Sequence, residues 1–198
     1  LKAQTGAKKL SVMGIGGSKH TVEHMLSING LNVKQDYVEF YSDVDSASLE
    51  RFLYRLENNV LESNFMIASK SGSTFETKDG FLRVLQMLKD AYTAQGKSAE
   101  EADKAAHKHF IAVTDANAEK SELRRTSIEK GWLGDLFIHD DVGGRFSAFD
   151  DHALFTLAYA GMKKEDMISM LNAAQEVSSE SLTADLSVND ALKEGIFW

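Results

Sequence analysis

An apolar run passes directly into a loop of hydroxyl side chains at residues 65–74, which read FMIASKSGST. Residues 65–69 are predicted to form a strand. After the loop, Phe81, Val84 and Leu88 recur at the spacing of an amphipathic helix. A strand that continues through a polar loop into a helix is the repeating unit of parallel α/β sheets. This segment therefore predicts one such unit, with a polar loop at the carboxyl end of its strand.

The same alternation of apolar runs and helix-period stretches extends over most of the chain. Strands are predicted at 9–15, 37–41, 65–69, 110–114 and 136–139, and helices at 18–29, after Asp45, after residue 74, at 119–129 and after residue 145. The polar segment 95–107 is predicted as either a short helix or a surface insertion. Five strands with right-handed helical crossovers predict an α/β fold, a three-layer αβα arrangement around a doubly wound, five-stranded parallel sheet of the flavodoxin-like type.

Domain organisation is predicted from the same pattern. We expect residues 1–160 to form one ligand-binding domain and residues 161–198 to form its C-terminal helical extension. Met167, Ile168, Leu171 and Ala174 make an apolar stripe in that extension. The sequence does not begin with Met, and it is therefore expected to be part of a longer protein.

Composition limits the classes of function. Hydrophobic residues make up 43% of the 198 residues, yet no apolar run approaches the length of a transmembrane helix, so no membrane partner is expected. The formal net charge of −8 and the pI near 5.3 argue against a nucleic-acid surface. The absence of Cys excludes disulfides and thiolate metal sites. An anionic ligand would have to be held by concentrated local donors, because the overall charge repels it.

The loop at 14–18, Gly-Ile-Gly-Gly-Ser, follows the first predicted strand and precedes a helix. Glycines let backbone N–H groups approach a ligand closely, and the positive end of the helix faces the same ligand. A dinucleotide fingerprint would need a third glycine where Lys19 stands, so that reading fails. A plain strand–helix turn remains the alternative.

The hydroxyl loop is more specific. Ser69, Ser71, Ser73 and Thr74, together with Lys70, lie between a strand and a helix N-terminus, which is the chemistry of a phosphate cradle. The order of residues is not that of a nucleotide-triphosphate loop, so a monophosphate fits better. The alternative is a serine-rich turn that caps the helix.

A third loop, 142–147, reads Val-Gly-Gly-Arg-Phe-Ser. The two glycines allow a sharp bend that presents Arg145 at the rim of the sheet, where a guanidinium stabilises developing negative oxygen. The alternative is a surface arginine paired with Asp140, Asp141 or Asp150.

One pattern suggests a metal. His20-Thr21-Val22-Glu23-His24 matches H-x-x-E-H, in which histidines one helical turn apart share zinc. No third-ligand motif accompanies it, and we expect these histidines to face solvent or to bond locally, with no metal bound.

Together, and in this order, the three loops resemble the glucose-6-phosphate isomerase family and, more broadly, the sugar isomerase (SIS) domain, over roughly residues 10–160. The resemblance implies conversion of glucose 6-phosphate to fructose 6-phosphate through ring opening and a cis-enediolate. It also implies an isomerase of glycolysis and gluconeogenesis that is cytoplasmic and needs no cofactor. Its site is shared across subunits, which implies a homodimer in the full-length enzyme.

The resemblance also implies roles for individual residues. The implied substrate-binding residues are Gly17, Ser18, Ser69, Lys70, Ser71, Gly72, Ser73, Thr74, Glu76 and Gly144, and the implied catalytic residue is Arg145. Ser69, Ser71 and Thr74 would hold the phosphate, and Arg145 would stabilise the enediolate.

Two departures from the family bear on activity. Lys19, His20 and Thr21 follow the first loop where the family has small residues, which affects the sugar end of the pocket. The catalytic Glu of the family lies in a second SIS domain, and its ring-opening His and a C-terminal Lys also have no matching segment here. We therefore expect the 198-residue chain to be inactive alone.

Three alternatives differ in class. A non-catalytic SIS module would sense a phosphosugar, although such modules usually lack the Gly-Gly-Arg loop. An isomerase of another sugar phosphate, such as a mannose or amino sugar phosphate, is not separated by sequence. An NAD-dependent dehydrogenase is disfavoured by Lys19.

Overall fold

The structure is a computed structural model that describes residues 6–14, 17–28, 33–41, 45–70, 72, 74–139, 141–143 and 146–197, with the backbone alone at 17, 18, 35, 76 and 197. The strands are β1 (Lys9–Gly14), β2 (Val38–Tyr41), β3 (Ser63–Ala68), β4 (Phe110–Thr114) and β5 (Gly134–Phe137). The helices are α1 (Gly17–Ser27), α2 (Ser46–Leu56), α3 (Phe75–Ala94), α4 (Ala99–His107), α5 (Glu122–Lys130), α6 (Asp151–Tyr159), α7 (Lys164–Ser181) and α8 (Asp190–Phe197).

The strands form one parallel sheet in the order β2-β1-β3-β4-β5. From β1 the chain moves to one neighbour, β2, and then crosses to the other, β3. The space beyond the carboxyl ends of β1 and β3 is therefore the topological switch point, where sheets of this kind bind ligands. The predicted doubly wound α/β fold is confirmed.

Alternate strand residues face two separate apolar clusters, which makes the three layers. One cluster joins Met13, Ile67 and Phe110 to the helices α2 and α3 and to the segment that follows α5. The other joins Met66 and its neighbours in the sheet to Tyr159 of α6. Because both faces are covered, β3 and β4 are almost wholly buried, as the continuous apolar runs predicted.

Some predicted element boundaries are confirmed and others are shifted. β3 begins at Ser63, two residues before the predicted 65–69, and α5 begins at Glu122, three residues after the predicted start at 119. The predicted strand 110–114 is β4, and Asp45 caps α2 by accepting a hydrogen bond from Ser48 N at 3.0 Å. The segment 95–107 contains a true helix, α4. The fifth strand begins two residues before the predicted 136–139, because Gly134 and Asp135, which are poor strand formers, are paired with β4.

The chain divides into two compact units, Leu1–Gly161 and Met162–Trp198. The first contains the sheet. In the second, Asn189 joins the end of α7 to the start of α8 by donating to Ser181 O at 3.1 Å and accepting from Leu192 N at 2.8 Å. No residue of α7 is buried, and Ile168 of the predicted stripe is 46% exposed. None of the helices in the described residues is long and apolar enough to cross a bilayer.

Candidate functional site

The glycine loop and the hydroxyl loop begin side by side. Gly14, the last residue of β1, is paired with Ala68, the last residue of β3. A Cβ atom added to Gly14 would lie only 2.8 Å from Ala68 Cβ, so glycine is needed for this close approach. The sheet therefore brings the two loops together at the switch point, although 54 residues separate the paired strand ends.

Helix N-termini converge on the same edge of the sheet. α1 begins at Gly17, directly after the glycine loop, and α3 begins at Phe75, directly after the hydroxyl loop. Helix N-termini carry partial positive charge and orient backbone N–H groups towards a ligand. The edge of the sheet thus offers positive potential even though the whole chain is acidic.

The third loop links the edge strand β5 to α6. The helix α6 packs beside α1. At the far end of α6, Tyr159 Oη donates to Lys9 O at 3.0 Å, so this helix ends at the first residue of β1.

Within the hydroxyl loop, Ser69 is turned inward. Its side chain is buried, and its Oγ accepts a hydrogen bond from Gly72 N at 3.0 Å and lies 3.0 Å from Thr74 Oγ1. Thr74 is half-buried, and among the described residues its side chain makes no capping bond to α3. Ser69 thus joins Gly72 and Thr74 across the loop.

Gly72 fixes the shape of the loop. Its φ of +77° is a conformation that other residues rarely adopt. A Cβ atom here would collide with the backbone N of Leu123 and lie 2.8 Å from Leu123 Cβ. The loop therefore rests on the first turn of α5. A salt bridge of 2.8 Å between Lys78 and Glu122 joins α3 to α5 at this point, and hydrogen bonding to Lys78 lowers the pKa of Glu122.

In the third loop, the structure describes residues 141–143 before the predicted arginine and residue 146 onwards after it. Phe146 N donates to Gly143 O at 2.8 Å, and the Phe146 side chain is 83% exposed. Ser147 is buried, with its Oγ 3.4 Å from His152 Nε2. These contacts hold the end of the loop against the start of α6.

The predicted site residues fall into two groups. Ser69, Lys70, Gly72 and Thr74 are described and lie together in one loop, with Lys70 exposed. Gly17 begins α1, and Glu76 lies in the first turn of α3. The residues and side chains outside the described part are Ser71, Ser73, Gly144, Arg145 and the side chains of Ser18 and Glu76.

The histidines of the zinc pattern lie on the exposed face of α1. His20 and His24 are exposed, and His20 Nδ1 lies 3.6 Å from Glu23 Oε2 on the same helix. No cluster of three metal-ligating side chains occurs among the described residues.

Two polar residues beside the hydroxyl loop, Thr114 and Asp115, were not predicted from the sequence. Thr114 Oγ1 and Asp115 N both donate to Lys70 O, at 2.9 and 3.2 Å. Thr77 lines a cavity of about 40 Å³ beside Ser69, and among the described residues no group bonds its buried Oγ1. A cavity of this size has room for a water molecule. The position of Thr114 at the end of β4, next to β3, was the signal that would have found it.

Comparison with known proteins decides the family. A family model described as phosphoglucose isomerase matches residues 2–194. The chain belongs to the phosphoglucose isomerase family. The resemblance inferred from the three loops is confirmed.

Relatives in the phosphoglucose isomerase family are similar to this chain over nearly all of its length. The glucose-6-phosphate isomerase of Rippkaea orientalis is 29% identical over 200 residues, covering 100% of this chain and 34% of the relative. The glucose-6-phosphate isomerase of Mycoplasmopsis pulmonis is 29% identical over 195 residues, covering 96% of this chain and 42% of the relative. The chain thus spans about a third to two-fifths of the length of these relatives.

Solved structures agree on the fold. A glucose-6-phosphate isomerase from Chlamydia trachomatis superposes with a TM-score of 0.69 at 25% identity, over 91% of this chain and 31% of that one. A hypothetical protein from Thermus thermophilus superposes with a TM-score of 0.77 at 24% identity, over 99% of this chain and 42% of that one. This second likeness concerns the fold alone.

Proposed function

We propose that this chain is the phosphosugar-binding SIS domain of an enzyme that interconverts glucose 6-phosphate and fructose 6-phosphate. The observation that carries the proposal is the hydroxyl loop at the switch point, placed between the glycine loop and the N-terminus of α3. The names of the relatives in the family support the choice of sugar.

The phosphate is proposed to lie at the mouth of the hydroxyl loop. A phosphate monoester is largely deprotonated at neutral pH, so it needs donors. Ser69 Oγ accepts from Gly72 N and can then donate its proton to Thr74 Oγ1. The Thr74 proton is in that case left for the phosphate. Ser71 and the N–H groups of the first turn of α3 would supply further donors, and the exposed Lys70 would add charge.

The sugar is proposed to extend towards the glycine loop, where Gly17 and Ser18 would contact it. Moving a proton between C2 and C1 passes through an enediolate, whose oxygens carry negative charge. Arg145, next to Gly144, would offset this charge as it develops. Glu76 would lie beside the reacting carbons.

The remaining acid–base groups are proposed to come from the part of the relatives that this chain does not span. A general base must reach the proton that it abstracts. In the family this is a Glu of a second SIS domain, with the ring-opening His from a partner subunit. We therefore propose a homodimer and a cytoplasmic location for the full-length enzyme, and no turnover by the 198-residue chain alone.

Calorimetry with glucose 6-phosphate tests the phosphate assignment. Replacing Ser71→Ala and Thr74→Ala together should weaken binding at least tenfold, about 1.4 kcal/mol, because hydrogen bonds to charged groups are each worth roughly that much. The control pair, Thr93→Ala with Ser179→Ala, removes two exposed helix hydroxyls that bond their own helices. Equal affinity of the wild type and the loop variant would refute the assignment.

A further inference from the structure

A buried chain of hydrogen bonds ties the hydroxyl loop to β4 and α5. Lys70 O, in the loop, accepts from Thr114 Oγ1 at 2.9 Å. Thr114 Oγ1 lies 2.5 Å from Ser121 Oγ, and Ser121 Oγ accepts from Arg124 N at 3.1 Å. Thr114 and Ser121 have no exposed surface, so these bonds form away from competing water.

The direction of each hydrogen bond in this series follows from counting the hydroxyl protons. A hydroxyl has one proton, and the proton of Thr114 is given to Lys70 O, which can only accept. In the short contact between the two hydroxyls, Ser121 must therefore donate the proton and Thr114 must accept it. The bonds then run in one direction, from Arg124 N–H to Ser121, from Ser121 to Thr114, and from Thr114 to Lys70 O. Bonds aligned in this way polarise and strengthen one another.

The series of hydrogen bonds ends at the Lys70 carbonyl, which an anion must avoid. A carbonyl oxygen carries partial negative charge and would repel a phosphate placed beside it. Thr114 Oγ1 and Asp115 N hold Lys70 O against the carboxyl end of β4, so this carbonyl is already bonded within the protein.

A second contact acts at the same place. Gly72 packs on the backbone of Leu123, in the first turn of α5. Ser121 is the residue that caps this helix. The loop is therefore held at two points, the Lys70 carbonyl by Thr114 and Asp115, and Gly72 by the first turn of α5. Ser121 links the two points, because it caps α5 and contacts Thr114.

We propose that Thr114 and Ser121 are positioning residues of the phosphate loop. They keep the Lys70 carbonyl turned away from the bound phosphate and so set the affinity of the loop without contacting the ligand. This inference rests on the proposed function, because it takes the hydroxyl loop to be the phosphate site.

The test compares threonine variants by calorimetry with glucose 6-phosphate and by urea unfolding. Thr114→Val keeps the side-chain shape but removes the hydroxyl, and it should weaken binding about tenfold. Thr114→Ser restores the hydroxyl and should bind within about twofold of the wild type. Thr156→Val is the matched control, because Thr156 is equally buried and its Oγ1 donates to His152 O at 2.7 Å. It should lose stability and bind normally.

If Thr114→Val does not fold, Ser121→Ala replaces it. This variant removes the proton donor of Thr114 and the cap of α5, and it should weaken binding several-fold. Ser98→Ala is its control, because Ser98 caps α4 in the same way by accepting from Glu101 N.

The outcomes separate the two claims. Normal binding by Thr114→Val or, in its place, by Ser121→Ala would overturn the positioning role alone. Equal weakening by the controls would also overturn it, since the effect would then be a general loss of stability. No binding of glucose 6-phosphate by the wild-type chain would overturn the proposed function and this inference with it.

Discussion

At the scale of single residues, the position of each hydroxyl proton decides what the loop can bind. The sequence predicted a dense group of hydroxyls, and it could not tell that Ser69 faces inward. That orientation depends on Gly72, whose left-handed backbone sends its N–H to Ser69 Oγ. Local composition therefore predicted the hydroxyl content of the loop, and the backbone conformation of Gly72, packed on a helix distant in sequence, turns Ser69 inward.

Arg145 should recognise the transition state more than the substrate. Arg145→Lys keeps the charge but loses the planar fork that matches a planar anion. A five-carbon aldonic acid phosphate copies the enediolate, because its planar carboxylate occupies the position of the reacting carbons. We expect Arg145→Lys to weaken binding of this analogue at least tenfold and to change glucose 6-phosphate binding less than threefold, both by calorimetry. Equal losses for the two ligands would make Arg145 a ground-state contact.

At the scale of elements, pairing in the sheet overrode local propensity. The strand β4 was predicted correctly because its run of apolar residues is continuous. β5 was misplaced by two residues because the pairing of Gly134 and Asp135 with β4 has no signature in their own sequence. The helix α4 had a signal that was not used, the capping box of Ser98 and Glu101.

The packing of the hydroxyl loop on α5 predicts a strong effect of one methyl group. Gly72→Ala must adopt a positive φ, which costs about 1–2 kcal/mol, and must also displace the backbone of Leu123. Gly96→Ala is the matched control, since its φ is +89° and no atom lies within 4 Å of an added Cβ. In urea unfolding Gly72→Ala should lose clearly more stability than Gly96→Ala, and only Gly72→Ala should weaken glucose 6-phosphate binding. Equal losses of stability in the two variants, with unchanged binding, would show that the loop and α5 can move apart at little cost in free energy.

A buried histidine joins α3 to the sheet and predicts a dependence of stability on pH. His109 Nδ1 lies 2.7 Å from Ser63 O, which can only accept, so Nδ1 holds the ring proton. Nε2 then accepts from Tyr92 Oη at 2.7 Å. Burial lowers the pKa of His109, although the bond to Ser63 opposes this, and burial likewise lowers the pKa of His107.

The folded protein therefore resists protonation that the unfolded chain accepts below about pH 6.5. The contribution of His109 to stability is fully present above that pH and is lost as the pH falls through its folded pKa. Between about pH 6.5 and 4.5, before most carboxylates titrate, the free energy of unfolding should fall with a slope of at most about 1.4 kcal/mol per pH unit for each such histidine. His109→Gln should flatten the slope in urea unfolding at several pH values, and the exposed His20→Gln should not. Equal slopes in all three proteins would contradict this.

At the scale of the whole molecule, parallel topology brings the starts of two distant loops together, and we propose that the third loop completes the site. The glycine loop and the hydroxyl loop begin side by side because β1 and β3 are neighbours, and the third loop leads from the edge strand into α6. The sequence predicted this convergence through the general rule for doubly wound sheets. It could not predict the strand order or the path of α6, because both depend on contacts between residues far apart in the chain.

The most direct test of the account is one NMR titration of the ¹⁵N-labelled 198-residue chain with glucose 6-phosphate. We predict weak, saturable binding whose shift changes cluster at residues 14–19, 69–78, 114–123 and 142–147, with no changes in the groove that Leu53, Met87 and Ala91 line. The same samples should contain no fructose 6-phosphate after prolonged incubation, because the general base of the family has no counterpart here. Shift changes confined to other surfaces, or no binding at all, would contradict the proposed site. Robust formation of fructose 6-phosphate would show instead that the chain contains its own base, and Glu76 would be the first residue to replace.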